Sequence, residues 1–145
     1  MQSPRQQSLY DALATRILVL DGAMGTRLME HKPTPADFGG PQFENCNENL
    51  CRMHPEWILQ VHREYLDAGA DILKTNSFQA SPIVLAEFGI EDQARELAAL
   101  AAKLARQAAA EYSTSAKPRW VAGSMGPTTK SLSLRADVTF KQLSD

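Results

Sequence analysis

The chain has 145 residues, 43% of them hydrophobic, with 15 Lys and Arg against 17 Asp and Glu, which fits one globular domain. Its 8 Gly, 8 Pro and 2 Cys exclude a collagen-like repeat and a disulfide framework. A formal charge of −2 with no local basic run argues against a nucleic-acid partner. No apolar run approaches the roughly 20 residues that span a bilayer, so no membrane partner is expected. The polar start Met1-Gln2-Ser3-Pro4-Arg5 lacks the apolar core of a secretion signal, and a cytoplasmic location is expected.

In chain order, residues 8–15 read as a short helix with Ser8 as N-cap and Leu9, Leu13 and Ala14 on one side. Residues 16–20, Arg-Ile-Leu-Val-Leu, are a short aliphatic run closed by Asp21-Gly22-Ala23-Met24-Gly25-Thr26, the pattern of a strand buried in a parallel sheet. Residues 30–50 hold Pro33, Pro35, Gly39, Gly40 and Pro41 and predict a long irregular loop, of a length that is usually functional. Pro55 opens a helix in which Trp57, Ile58, Val61, Tyr65 and Leu66 recur at helical spacing until Gly69. Residues 71–76 predict a second strand, and Ser81-Pro82 a helix that Gly89 stops. Residues 91–112 form an Ala-rich helix with Ala94, Leu97, Ala98, Ala101, Leu104, Ala105 and Ala108 along one stripe. Residues 120–124 predict a third strand, left through Met125-Gly126-Pro127-Thr128, and residues 138–143 look like the start of a further helix, so the pattern ends before it closes.

Strands alternating with helices call for an α/β fold with parallel pairing. Ligands in such folds bind where the strands' carboxyl ends meet their loops. Asp21 stands at one such end, followed by amides that glycine leaves accessible; it suits the ammonium of a zwitterion, with the amides facing its carboxylate, or equally a turn or helix cap. Thr75-Asn76-Ser77-Phe78 offers two hydrogen-bonding side chains and an aromatic wall, or turn chemistry alone. Met125-Gly126-Pro127-Thr128-Thr129 is open to the same two readings. Cys46 and Cys51, four residues apart, match neither a zinc knuckle nor a redox pair and read as structural. His31, His54 and His62 form no metal-ligand set and are expected in capping or surface roles.

The runs Ile17-Leu18-Val19-Leu20-Asp21-Gly22-Ala23-Met24-Gly25-Thr26, Asn45-Cys46-Asn47-Glu48-Asn49-Leu50, Ala68-Gly69-Ala70-Asp71-Ile72-Leu73-Lys74-Thr75-Asn76-Ser77-Phe78 and Val121-Ala122-Gly123-Ser124-Met125-Gly126-Pro127-Thr128 together resemble the homocysteine S-methyltransferase family. Within it they look most like the amino-terminal homocysteine-binding module of the cobalamin-dependent methionine synthases. The resemblance runs from about Leu13 onward.

It implies a (β/α)8 TIM barrel in which zinc held by three cysteines binds homocysteine as a thiolate that attacks an activated methyl group. Carried over by position, Asp21 would meet the amino group of homocysteine, and Gly22 and Ala23 would offer amides to its carboxylate. Thr75, Asn76 and Phe78 would line the pocket, and Gly126 and Pro127 would shape the third loop. Many members carry Glu where this chain has Lys74. The family's zinc cysteines belong to later strands, and Cys46 and Cys51 do not match them.

Residues 1–145 are therefore expected to be the front part of the barrel, about three βα units, incomplete and inactive when isolated. Zinc and methylcobalamin are expected in the complete enzyme and neither on this chain alone. The expected partners are homocysteine, the remainder of the barrel and the methyl-donor modules. The alternative reading is a non-catalytic half-barrel that docks on a partner, or a degenerate remnant.

Overall fold

A computed structural model describes residues 3–130 and 139–141. The expected helix at 138–143 falls largely outside them. The first helix, α1 (Pro4–Thr15), begins earlier than the expected start at residue 8. Its N-cap is Ser3, not Ser8. Ser3 Oγ accepts the Gln6 N–H at 3.3 Å while Gln6 Oε1 accepts the Ser3 N–H at 2.9 Å, a reciprocal capping box with Pro4 opening the helix. That first turn is wholly polar, so apolar periodicity does not reveal it.

The run at 16–20 is extended but is not a regular strand; only Leu20 pairs, in a parallel bridge with Ile72. The physical reason is Asp71. Its carboxylate takes the Val19 N–H at 3.0 Å in place of a backbone carbonyl, and Val19 O receives the N–H groups of both Asp71 and Ile72. The two regular strands, β1 (Ile72–Lys74) and β2 (Trp120–Ala122), pair in parallel with Ile72 opposite Trp120, Leu73 opposite Val121 and Lys74 opposite Ala122. Both are shorter than the expected 71–76 and 120–124.

Between them the chain forms α2 (Met24–Met29), α3 (Leu50–Met53), α4 (Pro55–Asp67), α5 (Pro82–Leu85) and α6 (Ala94–Tyr112). Gly69 and Gly89, with φ of 105° and 68°, stop α4 and the turn after α5 in a conformation that side chains resist. α4 and α6 pack on each other and on the sheet. Leu73 of β1 is buried against Leu66, Ala108 and Ala109, and small residues on α6 let its axis lie close to the strands. Strand alternation then sends Ile72 and Lys74 to the opposite face. That face and the extended run are open, with Ile17 90% and Met125 93% exposed.

The loop expected at 30–50 is packed. It contains 3₁₀ turns at Pro41–Phe43 and Asn47–Asn49, and it buries Phe38, Cys46 and Leu50, the last with Cys51, Ile58 and Val61. Trp57 is stacked between His31 at 4.5 Å and His54 at 4.0 Å, which fastens the loop to α4.

His31 and His54 thus lie at the surface or cap positions expected of them, but His62 does not. It is fully buried on the inner face of α4, and neither ring nitrogen has a hydrogen-bond partner among the described residues. Position 62 shares a face with Ile58 and Leu66, so helical geometry carries it inward whatever its polarity.

Candidate functional site

Three loops meet at the carboxyl end of the extended run, β1 and β2, and hydrogen bonds stitch them together. Asp21 Oδ2 accepts the Lys74 N–H at 3.0 Å, joining the first loop to β1. Asp21 Oδ1 is buried, accepts no hydrogen bond from any described residue, and lies 3.9 Å from Lys74 Nζ. Burial pushes the Asp21 pKa up, opposed by the Lys74 amide and ammonium. This is an under-satisfied carboxylate at a strand end.

Gly22 is fixed by space, since a Cβ there would stand 2.8 Å from Tyr65 Oη, which itself donates to Ala23 O at 3.3 Å. No described residue accepts from the backbone N–H of Gly22 or Ala23.

Thr75 and Asn76 are both buried, and the Thr75 hydroxyl and the Asn76 amide nitrogen are engaged. Thr75 Oγ1 shares a hydrogen bond with Ser77 Oγ at 2.6 Å and accepts the Ser124 N–H at 2.9 Å. The Asn76 amide donates to Asn47 O at 2.9 Å and to Cys51 Sγ at 3.4 Å. Both side chains hold neighbouring loops in place. Phe78 is 53% exposed, and its carbonyl accepts the Gly126 N–H at 2.8 Å. The structure therefore brings Thr75, Phe78 and Gly126 together, sets Asp21, Gly22 and Ala23 at the neighbouring strand end, and leaves Pro127 exposed on the third loop.

Glu48 escaped the reading of the sequence. It is 3% exposed; Oε1 accepts the Gln79 N–H at 2.8 Å, and Oε2 has no partner among the described residues. Burial pushes its pKa up. Nothing in Asn47-Glu48-Asn49 marks a buried carboxylate, because its partner is a backbone amide 31 residues away. Ser77 and Ser124 were likewise unmarked; Ser77 Oγ donates to Ser124 O at 2.8 Å.

Gly126 gives a direct test of the stitching. A Cβ there would stand 2.6 Å from Phe78 O and 2.7 Å from its ring. Gly126→Ala is expected to lower stability by about 1–3 kcal/mol, the usual range for overpacking. Gly123→Ala, where an added Cβ meets nothing within 4 Å, is expected to change it far less. Paired melting curves compare the two, and equal shifts would show that the Phe78 contact is not what fixes the loop.

The architecture is that of an α/β protein with parallel strands and a polar site at their carboxyl ends, matching part of a homocysteine methyltransferase barrel. Residues 18–145 match the family profile described as homocysteine S-methyltransferase. The chain belongs to that family. It is 42% identical over 122 residues to a methionine synthase of Mycobacterium leprae, a match that covers 84% of this chain and 10% of that protein. Two structures of the homocysteine methyltransferase MmuM from Escherichia coli are also similar. The metallated form has 34% identity and a TM-score of 0.67, and covers 82% of this chain and 41% of its own. The oxidised form has 33% identity and a TM-score of 0.69, and covers 90% and 46%. The chain thus spans less than half the length of these relatives.

Proposed function

We propose that residues 1–145 are the amino-terminal portion of a homocysteine-binding barrel, about three of its βα units, and that they supply the part of the site that grips the amino-acid end of homocysteine. The observation that carries this reading is Oδ1 of Asp21 at the end of the extended run, without a donor among the described residues and beside two amides without acceptors among them. A buried carboxyl oxygen lacking a donor is complementary to an ammonium, and free N–H groups are complementary to a carboxylate. Phe78 provides an exposed aromatic wall, while Thr75 and Asn76 keep the second loop rigid through their own bonds. Gly126 and Pro127 set the height of the third loop. The complete enzyme would transfer a methyl group to the homocysteine sulfur and make methionine, in the cytoplasm.

The described residues do not fit a zinc ion. No group of three His, Cys, Asp or Glu among them stands close enough to hold one. Cys46 and Cys51 are buried, and burial pushes the Cys51 thiol up to about 12. In this reading zinc and methylcobalamin belong to parts of the complete enzyme outside this chain, with the remaining barrel and methyl-donor modules as its partners. No step of amino-acid recognition depends on either.

Asp21→Asn tests the reading. In the protein carrying this segment, homocysteine affinity should fall about 10- to 150-fold, the loss of one charge-assisted hydrogen bond worth about 1.5–3 kcal/mol. Titration of the variant beside its melting curve separates binding from capping. An unchanged dissociation constant with a lowered Tm would leave Asp21 as a structural residue only.

A further inference from the structure

Lys74 has no role in the reading above, yet its ammonium is the cation that faces Asp21. β1 turns the Lys74 side chain to the open face of the sheet, where it is 38% exposed, and Nζ stands 3.9 Å from Asp21 Oδ1. That separation is too long for a good hydrogen bond but short enough to place a positive charge beside the carboxylate. The oxygen is enclosed, so an incoming ammonium cannot reach it while the surrounding side chains stay as they are. Lys74 is the flexible, half-exposed neighbour that can yield.

We infer that Lys74 makes the Asp21 site selective for α-amino acids over simple amines, by standing where a ligand ammonium must go and then engaging the ligand's carboxylate. The inference rests on the homocysteine-binding reading and deepens it. A ligand with only an ammonium must displace a tethered cation and gains nothing in return. A zwitterion presents its carboxylate next to its ammonium, so the displaced Nζ finds a new partner within a short swing of its four-carbon stem. Carboxylate, ammonium, carboxylate and ammonium then alternate around a closed ring. Discrimination arises from a repulsive element as much as from an attractive one.

The experiment titrates the complete protein that carries this segment, at low salt and neutral pH under reducing conditions, with L-homocysteine and with 3-aminopropane-1-thiol, the same molecule without its carboxylate. The unaltered complete protein should prefer homocysteine at least about tenfold, the scale of one charge-assisted hydrogen bond. Lys74→Met should weaken homocysteine, strengthen the aminothiol and collapse the ratio towards one, and Lys74→Arg should restore it. A ratio unchanged in Lys74→Met, with homocysteine binding still lost in Asp21→Asn, overturns this inference and leaves the site standing. No homocysteine binding by the unaltered complete protein, or binding indifferent to Asp21→Asn, overturns the site reading and the inference together.

Discussion

Asp71→Ala is expected to lower the free energy of unfolding by about 2–4 kcal/mol, read as a fall in the denaturant midpoint. Asp71 is 2% exposed and serves three segments. Its two oxygens accept from Arg16 Nη1 and Nη2 at 2.8 Å each, Oδ2 also accepts the Val19 N–H, and Oδ1 lies 4.0 Å from Arg119 Nη1. Arg16 is 41% exposed, so solvent screens that pair and it supplies the smaller share. The larger share comes from the buried end. Arg119, whose side chain is 6% exposed, would lose its counter-charge, and the Val19 amide would lose its acceptor. The Arg16 guanidinium holds the Asp71 carboxyl at about 2, below the usual range. With the folded pKa depressed, this stabilisation is complete above about pH 4 and is lost as the pH falls towards 2. Asp71→Asn keeps an acceptor for Val19 and should cost less. Equal costs for the two variants would mean that charge contributes nothing.

The second large effect is acid sensitivity centred on His62. Burial alone lowers its pKa to about 4 from an ordinary 6.5, because a charged imidazolium would have no partner there. Between those values the unfolded chain binds a proton that the folded chain refuses. Stability is therefore whole above pH 6.5 and declines as pH falls to 4, by up to about 3 kcal/mol in total. Asp21 and Glu48, both raised by burial, act in the opposite sense, gaining stability as pH falls. The comparison that isolates His62 is the difference between the parent chain and His62→Leu, followed by urea unfolding at several pH values. The stability advantage of the parent over the variant should shrink by up to about 3 kcal/mol between pH 6.5 and 4; a difference independent of pH would assign the slope to other groups.

Local signals in the sequence carried the helices well. Pro55 with Gly69 bracketed α4, and the stripe from Ala94 to Ala108 matched the buried face of α6. Hydrophobic period and turn residues are short-range facts, and helices are made of short-range contacts. What escaped depends on distant partners. The run at 16–20 looked like a strand because its aliphatic composition is that of one, but its pairing is decided by Asp71, 52 residues from Val19. Glu48 went unremarked and His62 looked like a capping or surface residue because nothing next to them in sequence shows what encloses them. The strand-end motifs located the loops of the candidate site. They could not show that Thr75 and Asn76 hold neighbouring loops while Asp21 Oδ1 has no donor among the described residues.

The stitches at the carboxyl end join residues far apart along the chain. Asp21 meets Lys74 across 53 positions, Thr75 meets Ser124 across 49, and Asn76 meets Asn47 across 29. Each ties distant segments together through polar groups, whereas Leu66 of α4, Leu73 of β1 and Ala108 and Ala109 of α6 share an apolar cluster. The two halves of the molecule should differ in their breathing. Amide hydrogens of the stitched loops exchange with solvent through small local openings, and those of α4 and α6 only through global unfolding. The expected order is therefore that the end of the sheet around Asp21 exchanges before the helices beneath it do.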